Sequence, residues 1–185
     1  MLQITIPERE FFDSEKQEFV YLKEQKLVLE HSLISISKWE SKWKKPFLNK
    51  EQKTVEESRD YVRCMTLNKD VDPTVYTTLS NDVFAKINAY IEDGMTATWF
   101  NEQNAKNMLG RNSGTAITSE IIYNWMVSFQ IPFEPCEKWH LNRLLTLIKV
   151  CELKNAPKKK MKRKDIYARN AALNAARKKQ FGTNG

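Results

Sequence analysis

Leu141-Asn142-Arg143-Leu144-Leu145-Thr146-Leu147-Ile148-Lys149-Val150-Cys151 is the stretch that decides the fold class. Leu141, Leu144, Leu145, Ile148 and Cys151 recur three and four residues apart, which places them on one side of a helix. Pro132 and Pro135 bracket a turn before this helix, and Asn155-Ala156-Pro157 ends it. A helix so strongly one-sided is predicted to lie at the centre of the core.

Working outward, the same period recurs upstream. Ser32 caps a helix carrying Leu33, Ile36, Trp39 and Trp43. Pro46 closes that segment. Thr54 and Glu57 have the spacing of a capping box, which opens a helix with Val55, Tyr61, Val62 and Met65 inward. Asp72-Pro73 starts a short helical turn. Ser80 then begins a helix with Val83, Phe84, Ile87, Tyr90 and Ile91 buried, stopped at Asp93-Gly94. Residues 101–116, rich in Asn, Ser and Gly, read as a loop. Thr118 caps a helix whose apolar stripe is Ile121, Ile122, Trp125 and Phe129.

The N-terminal residues follow a different period. Leu2, Ile4 and Ile6 alternate with polar residues, the pattern of a half-buried strand, and Pro7 ends it. Phe19-Val20-Tyr21-Leu22 and Lys26-Leu27-Val28-Leu29 are further strands. The expected fold is therefore α+β and predominantly α. A small β element of two or three strands (1–30) packs on a bundle of about five helices (32–157), followed by a basic extension (158–185).

Composition agrees with this division. The 185 residues are 41% hydrophobic and 29% charged, enough for one ordinary core. Five glycines and six prolines are too few for a sandwich of many short strands. Three cysteines, Cys64, Cys136 and Cys151, make a poor disulfide framework and point to a reducing compartment. Met1 to Pro7 lacks the basic and apolar runs of a signal peptide, and no stretch of the chain is apolar enough to span a membrane. The net charge of +7 is uneven: residues 158–185 hold 10 Lys and Arg against Asp165, whereas residues 1–157 hold 20 basic and 22 acidic residues.

A search for chemistry finds little. Glu137 and His140 have the spacing of a helical di-iron ligand pair, but no second Glu-x-x-His exists. Cys136 and His140 lack a second pair to complete a zinc site. Gly110-Arg111-Asn112-Ser113-Gly114 is neither a Walker loop nor a dinucleotide fingerprint. No catalytic residue, metal or cofactor is assigned, and the expected class is a non-enzymatic binding protein. Trp39 and Trp43 are either core residues or, ringed by Lys38, Lys42, Lys44 and Lys45, an exposed contact stripe. The run Lys158, Lys159, Lys160, Lys162, Arg163 and Lys164 repels itself. Asp165 to Lys179, with Arg169 and Arg177, is an alanine-rich helix with little to bury, ordered against a partner. Such a tail can pair with an acidic protein, bind nucleic acid with steep salt dependence, or stay solvated.

Several stretches resemble one family. They are His31-Ser32-Leu33-Ile34-Ser35-Ile36-Ser37-Lys38-Trp39-Glu40-Ser41-Lys42-Trp43, Arg63-Cys64-Met65-Thr66 and Met95-Thr96-Ala97-Thr98-Trp99-Phe100. To these add Ile131-Pro132-Phe133, Lys138-Trp139-His140-Leu141-Asn142-Arg143-Leu144-Leu145-Thr146-Leu147-Ile148, and Asn170-Ala171-Ala172-Leu173-Asn174-Ala175-Ala176-Arg177. Together they are similar to tail assembly chaperones of bacteriophages with long, non-contractile tails. The resemblance implies a protein of the infected host's cytoplasm. It would keep the tape-measure protein soluble while tail-tube subunits polymerise, without a cofactor. The expected contact residues are Trp39, Trp43, Lys158, Lys159, Lys160, Lys162, Arg163, Lys164, Arg169 and Arg177, with self-association also open. The rival classes are a structural virion component, such as a head–tail adaptor, and a nucleic-acid binder acting through the tail.

Overall fold

The computed structural model describes residues 1–13, 17–49, 51–100, 116–155 and 163–182. Contacts divide the chain into two units, Met1–Leu153 and Lys154–Gly185. The fold is α+β and mostly α.

The β element has four strands rather than two or three: β1 (Leu2–Ile6), β2 (Arg9–Asp13), β3 (Glu18–Leu22) and β4 (Gln25–Leu29). β1 pairs antiparallel with β4, and β2 with β3. Ile6 faces Gln25 and Arg9 faces Leu22, with two residues left between them on each strand. The register is thus constant, and the four strands form one long ribbon. Pro7 has no N–H to give, which interrupts the ladder. β2 escapes sequence reading because adjacent Phe11 and Phe12 break the alternation.

The ribbon turns over at this break. Ile4, Ile6, Leu27 and Leu29 are buried below it. Beyond it Leu22 is buried and Phe11 and Val20 are half-buried, so the inward set has moved by one residue on both strands. Two-stranded ribbons twist strongly, and the interrupted ladder is where this one can rotate most freely. The rotation leaves Phe12, Phe19 and Tyr21 on the outer face.

Among the described residues, five helices of ten or more residues build the body: α1 (Leu33–Trp43), α2 (Val55–Met65), α4 (Asn81–Glu92), α5 (Ser119–Ser128) and α7 (Leu141–Asn155). Two single turns, α3 (Thr74–Thr77) and α6 (Phe133–Cys136), join them. The core takes Leu33, Ile36 and Trp39 from α1, Tyr61, Val62 and Met65 from α2, and Ile87 from α4. Ile122 and Met126 come from α5, and Leu141, Leu144 and Ile148 from α7. Val55, expected inward, is exposed in the first turn of α2. The second unit holds α8 (Arg163–Phe181), in which no residue is buried.

Caps set the helix boundaries. Ser32 accepts the Ser35 N–H, and Ser80 that of Val83. The Thr54–Glu57 box is reciprocal, at 2.8 and 3.2 Å. α1 ends where Lys44 enters the left-handed region at φ 55° and its N–H returns to the Glu40 carbonyl. The start of α5 differs from expectation, because the Thr118 side chain makes no cap bond. The buried Glu40 carboxylate of α1 caps it instead, accepting the Ser119 N–H at 2.8 Å. Its other oxygen accepts the Phe47 N–H at 2.8 Å. A carboxylate fits the positive end of a helix, and here it also fixes the loop after α1.

Replacing Glu40 with alanine strands both buried donors. Urea denaturation of Glu40→Ala is expected to show a stability loss of about 2–5 kcal/mol.

Candidate functional site

The expected contact stripe on α1 faces its own chain. Trp39 is 1% exposed and belongs to the core. Its indole N–H donates to the Glu57 carbonyl of α2 at 2.9 Å, and its ring meets Phe47 edge-on at 5.2 Å. Trp43 is half-buried, stacks on Trp39 at 6.2 Å, and donates to Asp60 at 2.9 Å. Trp39 as a partner contact is thereby corrected, since an indole with its N–H spent and its ring enclosed has no surface to offer. Trp43 retains a partial face only.

The lysines around these rings are engaged in the same way. Lys42 pairs with Asp60 and Lys45 with Glu57, each at 2.6 Å. The Lys45 hydrogen bond, with the Thr54 amide, holds the Glu57 carboxyl below its ordinary range. Lys53 lies 4.1 Å from the Phe47 ring centre, and burial pushes its ammonium group down. The α1–α2 face is therefore an internal seam, where Lys42, Lys45, Lys53 and Arg63 are each matched to a ring or an acid of the same chain.

The two histidines meet in the interior, with ring centres 5.1 Å apart. The His140 Nε2 faces the Tyr90 carbonyl at 2.9 Å, so Nε2 carries the hydrogen. Its Nδ1 then accepts the Asn142 N–H at 3.3 Å, and the imidazole serves as the cap of α7. His31 Nδ1 bonds the Tyr61 hydroxyl. Burial, reinforced by nearby His140, lowers His31 from 6.5 to about 3. Glu137 instead accepts the Tyr123 hydroxyl at 3.1 Å, so the Glu-x-x-His spacing brings no ligand pair together. Among the described residues, no group of three or more His, Cys, Asp or Glu could hold a metal ion.

Two groups of exposed side chains stand out among the described residues. On the ribbon's outer face Phe12 (52% exposed) packs edge-on against Phe19 (69%) at 5.2 Å, beside Tyr21. The Tyr21 hydroxyl donates to Glu8 at 2.6 Å, and Glu10 stands directly across from Tyr21. Sequence reading missed this aromatic cluster. Its signal is Phe11-Phe12 in a segment not recognised as a strand. The other group is on α8, where Arg163, Lys164, Arg169 and Arg177 are all exposed, with Ile166, Tyr167, Leu173 and Phe181 between them. Lys158, Lys159, Lys160 and Lys162 lie outside the described residues, as do residues 101–115 of the loop.

No protein-family model, no curated protein and no solved structure matches the chain. No helix among the described residues is long and apolar enough to cross a membrane.

Trp39→Ala is expected to lower folding stability by about 3–5 kcal/mol in denaturant titrations. Lys42→Ala, whose partner Asp60 keeps Trp43 and Arg63, should cost no more than about 1 kcal/mol. His31 sets a pH dependence of its own. Its folded pKa lies below its unfolded value, so its contribution is complete above about pH 6.5 and is lost as pH falls towards 3. Between pH 7.5 and 5 the loss is about 2 kcal/mol, as the unfolded chain takes up a proton the folded chain refuses. His31→Asn should flatten the stability–pH profile by that amount.

Proposed function

We propose that this protein is a tail assembly chaperone of a long-tailed bacteriophage, acting in the infected cell's cytoplasm by binding tape-measure and tail-tube proteins. The resemblance of the His31–Trp43, Lys138–Ile148 and Asn170–Arg177 stretches to that family suggests the role. The observation that carries it is α8, nineteen residues long with none buried. An isolated helix of this length is marginal in water, and one polar on every side has no core to stabilise it. Its order is best explained by a partner whose surface takes both charges and apolar side chains. Arg163, Lys164, Arg169, Arg177, Lys178 and Lys179 against Asp165 make that partner acidic. The dispersed Ile166, Tyr167, Leu173 and Phe181 suit a helical partner with apolar stripes. Long-range attraction speeds encounter while the apolar contacts hold it, a combination suited to a chain that must later release its client.

The exposed basic helix also favours a second reading, nucleic-acid binding. The two differ in salt response and in cargo. Binding through phosphates weakens steeply between low and physiological salt, whereas a helix–helix contact with apolar anchors persists.

The test is affinity purification of tagged full-length protein from phage-infected cells at physiological salt, with mass spectrometry of the eluate and of purified virions. The expected result is recovery of tape-measure or tail-tube protein, with the chain itself lacking from finished particles. Deletion of residues 158–185 should abolish that recovery while the body keeps its circular dichroism spectrum. Abundant chain in the virion would replace the chaperone role with a structural one, and nucleic acid as sole cargo would favour the second reading.

A further inference from the structure

Among the described residues, the outer edge of β1 is neither covered nor charged. The outer edge of β4 is covered, because Glu30 N–H donates to the Met65 carbonyl and Leu67 N–H to the Val28 carbonyl, at 2.9 and 2.8 Å. β2 and β3 carry the exposed Glu10 and Glu18, charges that guard an edge against pairing, and Arg9 of β2 donates to the Thr78 carbonyl. β1, Leu2-Gln3-Ile4-Thr5-Ile6, has no charge, and among the described residues its only strand neighbour is β4.

The direction of its backbone groups can be derived. Val28 turns its C=O to Leu67 and its N–H to the Asn68 side chain, away from β1. Gln3, its partner in the ladder, therefore also points away from β4, and alternation puts Thr5 in the same class. The N–H and C=O of Gln3 and Thr5 face outward, where no described residue meets them. Beneath this edge lies an open groove of about 420 Å³ between β1 and α4, lined by Leu2, Ile4, Ala89 and Tyr90. Lys86 and Asp93 on its rim are of opposite sign and leave it neutral.

We propose that β1 pairs antiparallel with β1 of a second copy of this chain, about a two-fold axis at Ile4. The strand is complementary to itself in this register. Centring on Ile4 sets Gln3 opposite Thr5 of the second copy at both ends, which engages all four outward backbone groups in four hydrogen bonds. Centring on Gln3 or Thr5 would set Thr5 against Met1 or Gln3 against Pro7, beyond the ends of the strand. On the inner face Ile4 meets Ile4, and Leu2 meets Ile6, so the apolar face continues across the axis and covers the groove. On the outer face Gln3 stands beside Thr5, and no like charges are opposed. Pro7, lacking an N–H, ends the new ladder where it ends the old one. The result is a four-stranded sheet, β4-β1-β1-β4, with an isologous interface. This pairing uses no residue of the tail and stands whether or not the chaperone reading holds.

Sedimentation equilibrium of the full-length protein at physiological salt tests the proposal, together with hydrogen exchange at the Gln3 and Thr5 amides. The mass should rise with concentration towards twice that of one chain, and both amides should gain protection over the same range. Gln3→Lys/Thr5→Lys changes two exposed side chains and sets like charges opposite one another. It should raise the dimer dissociation constant about tenfold or more. Mixing it with Gln3→Glu/Thr5→Glu should restore a heterodimer. A monomer at every concentration, a dimer indifferent to the lysine pair, or folded variants that fail to pair when mixed would each overturn the proposal.

Discussion

Glu30-His31-Ser32, three consecutive polar residues at 7%, 2% and 4% exposure, hold the first unit together. They sit where β4 becomes α1, and each uses its backbone or side chain on a different element. Glu30 accepts the Tyr90 hydroxyl of α4 at 2.7 Å and donates its N–H to α2. Its carbonyl accepts the Ser35 hydroxyl of α1. The His31 carbonyl accepts the first N–H of α7 at 2.7 Å, while its ring bonds Tyr61 and lies against His140. Ser32 caps α1 and bridges to His140. Buried polar groups are costly unless every partner is present, so this junction fixes ribbon and helices in one arrangement and tolerates few others.

That constraint decides which polar side chains are already engaged within the chain. Both histidines are consumed by the junction and by the cap of α7. Glu40 is consumed by the loop after α1 and the start of α5, and Glu57 by the capping box and Lys45. Trp39, Trp43 and Lys42 of α1 are likewise engaged by α2. The first unit exposes the aromatic face of Phe12, Phe19 and Tyr21 and the uncharged edge of β1, and in the second unit no residue of α8 is buried. These exposed features are what the proposed assembly role would draw on.

Much of the helical body was legible in the sequence because its signals are local. Periodicity placed Leu141, Leu144 and Ile148 in the core, the Thr54–Glu57 spacing announced a capping box, and Ser32 and Ser80 announced two starts. The basic helix was legible too, from its alanines and its charge. The N-terminal ribbon was legible only in part. Alternation found β1, β3 and β4 but not β2, whose place depends on the twist at Pro7 rather than on its own pattern.

Composition and spacing thus determined the class of fold, the extent of the main helices and the concentration of positive charge at one end. Tertiary structure alone decided which polar residues are spent. No local pattern distinguishes a tryptophan stripe that meets a partner from one that meets α2, because the answer lies in Glu57 and Asp60, some seventeen or eighteen residues away. Nor does any spacing reveal that Glu40 caps a helix 79 residues later, or that two histidines 109 positions apart share a buried site. Periodicity records which face of an element is apolar. Which neighbour covers that face, and which edge is left bare, depends on contacts between distant segments that the chain makes only once it has folded.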